Sequence, residues 1–347
     1  MRELTKARRL AATLAMALAA VGCATAPDMS VDPLETAAAA IARETGPLED
    51  ALLPQNGPGA TRYLAFADAV DENYRFDGRR VVGTVGAGGN RIGAVLLLPR
   101  DGGRSRGTIL AFHGYMSYGG HILSALERLA NGGWAVIVAD LPGHGFSDGK
   151  RGDIRDFADY GLVASGMLAW AERQGRFSLP RPFVLLGHSA GSIAVLEALW
   201  HDEKVADAAI LLSPLVKPVG YWAASLSPVL EPFVGSFASR KHRDGYLGLP
   251  RMPLHWVREL VLWNGRLPGR PALDIPVLIV QGTADDVVDW RSNIPFLQEK
   301  IAGAKVVRLE GRGHNLPLPG KARDESLSAI AEFLDGVEIE NDSPSAR

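Results

Sequence analysis

The sequence predicts an α/β fold, with a mostly parallel central sheet, helices on both faces and an inserted helical lid. Short segments that are almost continuously apolar, typical of buried parallel strands, alternate with amphipathic segments of helical period. Of the 347 residues, 47% are hydrophobic and 22% are charged, which is the composition of a globular protein. This length suits one large domain with an insertion, or two small domains.

The strand and helix patterns alternate along most of the chain. Apolar strand candidates occur at residues 92–98, 108–112, 134–139, 183–186, 209–212, 277–280 and 306–309. Helical patterns include 122–130, 157–173, 193–200 and 295–301, and a last helix at 323–334 closes the domain. The predicted core therefore covers residues 62–213 and 271–336, and a polar tail follows at 337–347.

The first 22 residues have the pattern of a secretion signal. Basic residues within the first nine positions precede an apolar run at 10–22, which is too short for a permanent span of about 20 residues. The only cysteine, Cys23, follows Ala20-Val21-Gly22, and this segment resembles a bacterial lipobox, in which the cysteine is lipidated. Ala20 departs from the commoner leucine. The alternative is an ordinary signal peptide cleaved after residues 24–26.

These features predict where the protein resides. We expect lipidation at Cys23, with residues 23–61, rich in Ala, Pro and Gly, as a tether between the anchor and the domain. Ala24 stands where an aspartate is associated with inner-membrane retention, so we expect the periplasmic side of a bacterial cell envelope, at the outer membrane. A single cysteine cannot form an internal disulfide, so the fold must rest on its core.

The most informative motif is Gly187-His188-Ser189-Ala190-Gly191, between a predicted strand and a predicted helix. A strand that turns at once into a helix strains its central residue, and side chains on either side of the serine would clash. The Ser189 oxygen would stand at the carboxyl edge of the sheet, above a helix N-terminus that favours negative charge. Because any glycine-rich turn can contain a serine, the rest of the chain must decide the role of Ser189.

A nucleophilic serine needs a base, and the base needs an orienting acid. His314 follows the last predicted strand in a glycine-rich loop, at the same sheet edge as Ser189, and is the predicted base. The acid should come between them in the chain. Asp285 lies in the segment 282–286, which directly follows the strand at 277–280, and is our choice, with Asp286 in reserve. Asp289 is a weaker option and is interpreted as a turn residue.

Acyl transfer also needs donors for an oxyanion. We expect one to be the backbone amide of Ala190 and the other the amide of Tyr115, which Gly114 would let turn toward the site. Four further histidines are interpreted as residues that make local hydrogen bonds: His113, His121, His144 and His188.

Residues 214–270 interrupt the alternation of strands and helices. They are rich in proline and aromatic residues, and nearly sixty residues far exceed the usual connection of about 2–6. We expect a helical lid over the carboxyl edge of the sheet, above Ser189, because ligands of such sheets bind there. The alternative is a structural insertion packed far from the site.

Taken together, His113-Gly114, the run Asp-Leu-Pro-Gly-His-Gly-Phe-Ser at 140–147, and the motifs at 187–191, 282–285 and 313–314 resemble the α/β-hydrolase superfamily. The run continuing after 147 is similar to the monoacylglycerol lipase and lysophospholipase-like branch, of serine aminopeptidase S33 type. The resemblance covers about residues 62 to 336. The lid sequence matches no pattern of a branch, which leaves the substrate open.

This resemblance implies a catalytic role for each candidate. Ser189 would be the nucleophile, His314 the general base and acid, and Asp285 the orienting carboxylate. The amides of Tyr115 and Ala190 would form the oxyanion hole. We therefore expect a serine ester hydrolase that acts on amphiphilic acyl esters, such as monoacylglycerols or lysophospholipids, through an acyl-enzyme.

Other functions compete with this prediction. The same triad could transfer the acyl group to an alcohol or cleave peptides, although a peptidase would need acidic lid residues such as Glu231 and Glu259 to hold an amine. A lipoprotein that binds lipid without catalysis is a third possibility. No metal is expected, since zinc-ligand spacing is absent, and no cofactor, since phosphate and dinucleotide loops are absent. A net charge of −2 without a basic stripe argues against nucleic acid as a partner.

Overall fold

The computed structural model describes residues 46–48, 61, 63–65, 68, 71, 74–100, 105–238 and 251–341. Cys23, the predicted signal peptide and most of the predicted tether lie outside these residues. The strands are β1 Arg79–Ala87, β2 Asn90–Leu98, β3 Thr108–Phe112, β4 Ala135–Ala139, β5 Phe183–His188, β6 Ala208–Leu212, β7 Ser236–Ala238, β8 Arg251–Pro253, β9 Val277–Gly282 and β10 Lys305–Leu309. The helices are α1 Gly120–Asn131, α2 Ala158–Arg173, α3 Gly191–His201, α4 Tyr221–Ala224, α5 Ser227–Leu230, α6 Leu254–Arg266, α7 Trp290–Lys300 and α8 Lys321–Asn341.

The central sheet has the order β1-β2-β4-β3-β5-β6-β9-β10. In this order, each strand after β4 pairs in parallel with the one before it: β3, β5, β6, β9 and β10. In contrast, β1 pairs antiparallel with β2, and β2 pairs antiparallel with β4. The predicted α/β fold with a mostly parallel sheet is therefore confirmed. Because β3, β4, β5, β6, β9 and β10 run in the same direction, the loops that follow them emerge at one edge.

Helices cover both faces of this sheet. Side chains alternate along each strand, so in β3 Leu110 and Phe112 pack in one apolar core while Ile109 and Ala111 pack in the other. The first core includes residues of α2, α3, α6 and α7, and the second includes residues of α1 and α8. This burial on both faces explains why the central strands are almost continuously apolar.

The hairpin of β1 and β2 includes a strand that the sequence analysis missed. β1 pairs with β2 at nine positions and turns through Gly88 and Gly89, whose φ angles are +57° and +75°. Two successive left-handed residues are typical of a type I′ turn, which suits the twist of a hairpin. Glycines at 83 and 86 interrupt the apolar pattern of the strand. The Gly-Gly pair was the signal that could have revealed it.

Described residues on both sides of the predicted core, 62–336, pack against it. Gly46 and Leu48 belong to the predicted tether at 23–61. The carbonyl oxygen of Gly46 accepts from the amide of Thr84 in β1 at 3.1 Å, and Leu48 is fully buried. At the other end α8 continues past the predicted 323–334 to residue 341, and Val337 is buried in the second core. These described residues pack in the core although the composition around them is that of a linker or tail, and the domain boundaries themselves stay a prediction.

The long insertion between β6 and β9 divides into two parts. Trp256 and Trp263 of α6 are buried in the same core as α2 and α3, so this half is a packed structural element. The half that contains α4 and α5 instead exposes Trp222 and Phe233, which are 60% and 84% exposed. That the insertion acts as a lid stays a prediction. Within the described residues, none of the helices combines the length and apolarity that a bilayer span requires.

Candidate active site

Ser189 lies on a strained turn between β5 and α3. Its φ angle is +53°, in the left-handed region that non-glycine residues rarely adopt. A Cβ atom on Gly187 would lie 2.5 Å from the carbonyl carbon of Gly191, and one on Gly191 would overlap the carbonyl oxygen of Phe112. The Ser189 amide donates to Leu212 O of β6 at 2.9 Å, which holds the turn against the sheet. The glycines are thus required by close backbone packing, as expected.

The structure brings Ser189, His314 and Asp285 into one chain of hydrogen bonds. His314 Nε2 lies 2.9 Å from Ser189 Oγ, and His314 Nδ1 lies 2.8 Å from Asp285 Oδ2. The turns after β9 and β10 are joined, because the amide of Ala284 donates to Arg312 O at 2.9 Å. Adjacent parallel strands therefore deliver the base and the acid to the same sheet edge as the serine.

Asp285 is held as an ionised acceptor. Its Oδ1 accepts from the amides of Val287 and Val288 at 2.9 and 3.0 Å. Burial alone would raise its pKa, but the hydrogen bond and charge of His314, with the two amides, lower the pKa to about 2. Asp286 is exposed, and Asp289 accepts from Ser292 at the start of α7. Of the three candidate acids, only Asp285 contacts His314.

The amides of Tyr115 and Ala190 lie in the two loops that flank the serine. Phe112 at the end of β3 pairs with Gly187 of β5, so these loops leave the sheet side by side. A Cβ atom on Gly114 would lie 3.2 Å from Ser189 Cβ, which shows how closely the first loop approaches the serine. Neither amide donates to an acceptor within the part of the chain that the structure describes. Both remain available to a bound group.

Buried histidines shape the loop after β3. His113 Nδ1 donates to Gly114 O at 2.7 Å, so its Nε2 is the acceptor for the Leu141 amide at 3.0 Å. His144 Nε2 accepts from the Met116 amide at 3.3 Å. Burial lowers the pKa of His113 well below its usual range and that of His144 to about 4. These neutral rings make local hydrogen bonds, as the sequence analysis expected.

Comparison with known proteins relates this geometry to a family. A family model described as serine aminopeptidase S33 matches residues 103–247. Phospholipase YtpA of Bacillus subtilis is 26% identical over 250 residues, covering 65% of this chain and 94% of that protein. A monoacylglycerol lipase of Mycolicibacterium smegmatis is 27% identical over 204 residues, covering 53% of this chain and 71% of that protein.

Solved structures agree on the fold. A soluble variant of monoglyceride lipase from Saccharomyces cerevisiae superposes with a TM-score of 0.63 at 18% identity, covering 76% of this chain and 98% of that one. Monoacylglycerol lipase of Paleococcus ferrophilus gives a TM-score of 0.57 at 20% identity, covering 71% and 99%. The chain is a serine hydrolase with the α/β-hydrolase fold. The resemblance predicted from its motifs is confirmed.

In this hydrolase, a second histidine contacts the candidate base. His188 Nε2 donates to the carbonyl oxygen of His314 at 3.1 Å, and the two rings are 5.1 Å apart. Burial, followed by the neighbouring His314, lowers the pKa of His188 to about 3, so its ring is neutral near neutral pH. His121 instead contacts Ser117, with Ser117 Oγ 2.6 Å from its Nδ1. His188 therefore supports the backbone of the loop that carries His314.

Two residues at the site of the hydrolase were missed by the sequence analysis. Trp256 of α6 stacks on the ring of Tyr115, with centroids 3.7 Å apart and planes 14° apart. Gln281 of β9 donates from Nε2 to Asp285 Oδ2 at 3.0 Å. A glutamine at the end of an apolar strand, four residues before the candidate acid, was the available signal. The contact of Trp256 had no local signal, because α6 is distant from Tyr115 in the chain.

The two acidic residues considered for a peptidase share one arginine. Arg258 lies 3.1 Å from Glu259 and 3.7 Å from Glu231. Both carboxylates therefore have a cationic partner in the structure, and neither is an isolated anionic site for an amine. Across the residues that the structure describes, no group of three or more His, Cys, Asp or Glu side chains is arranged to hold a metal ion.

Proposed function

We propose that this protein cleaves amphiphilic acyl esters, of the monoacylglycerol or lysophospholipid type, through an acyl-enzyme on Ser189. The observation that carries the proposal is the continuous chain of hydrogen bonds from Ser189 Oγ through His314 to Asp285. A serine on a strained elbow, with an imidazole at its oxygen and a carboxylate behind that imidazole, is the arrangement that activates a hydroxyl for attack.

In the first half-reaction, Ser189 Oγ attacks the carbonyl carbon of the ester while His314 Nε2 accepts the hydroxyl proton. Asp285 remains ionised, since its pKa lies near 2, and its charge stabilises the imidazolium that forms. The amides of Tyr115 and Ala190 donate to the oxyanion of the tetrahedral intermediate. As the intermediate collapses, His314 Nε2 protonates the leaving alcohol and the acyl group stays on Ser189.

In the second half-reaction, water replaces the alcohol. His314 Nε2 accepts a proton from the water as its oxygen attacks the acyl carbon, and the same two amides receive the oxyanion. Collapse breaks the bond to Ser189 Oγ, which takes its proton back from His314. The product is the free fatty acid, and the hydrolase returns to its starting state without a cofactor.

The exposed apolar side chains of the insertion support an amphiphilic substrate. Val219, Trp222, Val229 and Phe233 are all more than half exposed, and they lie within fifteen residues of one another. If these side chains form one patch, contact with lipid or another apolar partner would cover it. The names of the relatives, a phospholipase and monoacylglycerol lipases, agree with this substrate class.

We also propose that the protein is held at a membrane by lipid attached to Cys23, on the periplasmic side of a bacterial outer membrane. The exposed apolar residues of the insertion would then add to the anchor, since membrane binding strengthens with the apolar area that is buried in the interface. Fractionation of cells that express wild-type protein or Cys23→Ala tests this proposal. We expect the variant to leave the membrane fraction, and wild-type membrane attachment in Cys23→Ala would contradict lipidation as the anchor.

The activity is tested by labelling the purified protein with a fluorophosphonate and then assaying p-nitrophenyl esters of graded chain length. We expect label on Ser189, turnover that rises with acyl length, and neither result with Ser189→Ala, which should keep its melting temperature. Absence of label on wild-type Ser189 would contradict the enzyme proposal. Label with acyl transfer to added glycerol, or with cleavage of aminoacyl anilides in place of esters, would favour the transferase or peptidase alternatives.

A further inference from the structure

Gln281 is a polar side chain in a position where the fold otherwise places apolar ones. It is the fifth residue of β9, a strand between β6 and β10, and the four residues before it are Val277, Leu278, Ile279 and Val280. Its side chain is fully buried. An amide removed from water is unfavourable unless its hydrogen bonds are replaced, so the identity of this residue requires an explanation.

The orientation of the Gln281 amide follows from its neighbours. One end lies 2.9 Å from the carbonyl oxygen of Gly282 and 3.0 Å from Asp285 Oδ2. A carbonyl oxygen and an ionised carboxylate only accept hydrogen bonds, so this end must be the NH₂ group. The other end, Oε1, has no hydrogen-bond partner in the described part of the chain. The side-chain hydrogen bonds of Gln281 to the described residues are therefore made by its Nε2 atom.

With this donor, the carboxylate of Asp285 has two donors at each oxygen. Oδ1 accepts from the amides of Val287 and Val288, while Oδ2 accepts from His314 Nδ1 and Gln281 Nε2. Four donors account for about all the acceptor sites of a carboxylate and prevent rotation about its last bond. Without Gln281, the orientation of Oδ2 would depend on His314 alone, which is the group that Asp285 has to orient.

We propose that Gln281 is a positioning residue of the hydrolase, which holds Asp285 Oδ2 in the orientation that directs His314 Nε2 toward Ser189. This inference rests on the proposed function of the triad. In this proposal Gln281 does not contact the ester. It acts on Asp285, and through Asp285 on His314. Its loss should therefore lower kcat and leave KM nearly unchanged.

Four ionisable groups lie near the Asp285 carboxylate and bear on a pH experiment: His314, His188, Asp286 and Glu310. His314 contacts Asp285 directly, and His188 lies with its ring 5.1 Å from that of His314. Asp286 is exposed, and Glu310 of the turn after β10 accepts from Thr283 at the surface. A pH dependence that appears in Gln281→Glu and not in Gln281→Met would therefore come from the introduced carboxyl group.

Two substitutions of similar size test the donor. Gln281→Met keeps the length of the side chain and removes the NH₂ group. Gln281→Glu keeps hydrogen-bonding capacity, but its carboxyl group can donate to Asp285 only while protonated and repels it once ionised. Gln174→Met is the matched control, because Gln174 also donates from Nε2 to a backbone carbonyl oxygen. Gln174 follows α2 and precedes β5, so it lies at the edge of the sheet opposite to the site.

For Gln281→Met we expect kcat to fall by about 10- to 100-fold at every pH, with KM within threefold, as for other misplaced catalytic groups. For Gln281→Glu we expect a kcat near that of wild type at low pH and a growing loss as pH rises. The proton between His314 and Asp285 should shift or broaden in the downfield ¹H NMR spectrum of Gln281→Met. Gln174→Met should match wild type in all three measurements.

Unchanged kcat in a folded Gln281→Met, with the downfield resonance in its wild-type position, would overturn the inference. Equal losses in Gln281→Met and Gln281→Glu at every pH would overturn it as well, because they would show that a donor is not what matters. Gln281→Glu keeps the test available if the methionine variant does not fold. Failure of wild-type protein to label at Ser189 would instead contradict the proposed function, so the two failures are distinguishable.

Discussion

Replacement of Asp285 by asparagine is the sharpest test of the site, because in either orientation of the new side chain its NH₂ group would face N–H donors. Both carboxylate oxygens face N–H donors: two backbone amides at Oδ1, and His314 Nδ1 with Gln281 Nε2 at Oδ2. An asparagine has one oxygen and one NH₂ group, so in either orientation donors face donors. The alternative is that His314 adopts its other tautomer, with the proton on Nε2, where it can no longer accept the proton of Ser189.

The size of the effect follows from these contacts. A wrong imidazole tautomer lowers kcat by about 10⁴ in serine proteases, which corresponds to about 5.5 kcal/mol at the transition state, and we expect a similar loss here. The stability effect is smaller, since one buried donor pair left without an acceptor costs about 1–3 kcal/mol. We therefore expect a folded Asp285→Asn protein with a melting temperature a few degrees lower and almost no turnover.

The assay is steady-state hydrolysis of a p-nitrophenyl ester, with circular dichroism melting of the same preparation. Asp286→Asn is the matched control, because this neighbour is exposed and does not contact His314. A kcat within tenfold of wild type in Asp285→Asn, or equal losses in the two variants, would refute the assignment of Asp285. Its pKa gives a second test. Because the folded pKa of about 2 lies below the ordinary 3.8, this carboxylate contributes up to about 2.5 kcal/mol of stability above pH 4.

That contribution is lost as pH falls from about 4 to about 2, and wild-type protein should lose it while Asp285→Asn should not.

Substitutions at three further positions, His188, Gly191 and Tyr115, also have expected outcomes. His188→Gln should keep an N–H donor to the His314 carbonyl and so retain most of kcat, whereas His188→Ala should lose about tenfold. The pKa of His188 lies near 3 in the folded protein and its ordinary value is 6.5, so its stabilising contribution is present above pH 6.5 and is lost as pH falls toward 3. The free energy of unfolding of His188→Gln, measured by urea titration, should therefore fall less over this range than that of wild type, by at most about 5 kcal/mol. Gly191→Ala would force a methyl group into the backbone of Phe112 and should destabilise the protein by about 3 kcal/mol, measured by chemical denaturation. Tyr115→Phe should lose about 1 kcal/mol of stability but less than fivefold in kcat, since the proposed donor is a backbone amide; a much larger loss of kcat would assign the hydroxyl a direct role.

The parts of the site that depend on local order along the chain could be predicted from the sequence alone. Ser189, Asp285 and His314 could each be identified because each follows a short apolar strand, and parallel strands deliver such residues to one edge of the sheet. The glycines at 187 and 191 could be interpreted because a strand that turns directly into a helix has no room for side chains there. These are properties of neighbouring residues, and they need no knowledge of distant contacts.

Other features were decided only by the tertiary structure. β1 was missed because its glycines hide the alternation of an edge strand, and only pairing with β2 orders it. Leu48 and Val337 lie in segments whose composition predicts a linker or tail, yet each is buried by packing. The insertion was expected as a single lid, but α6 is anchored in the core by Trp256 and Trp263.

The supporting contacts of the site belong to the same class. His188 and His314 are 126 residues apart in the chain, and Trp256 reaches Tyr115 from a helix more than a hundred residues away. The role of Gln281 depends on a turn of a few residues that brings Asp285 back over its amide. Local sequence patterns predict which side chains do chemistry. The groups that orient those side chains depend on proximity in space, and so on how all the elements pack together.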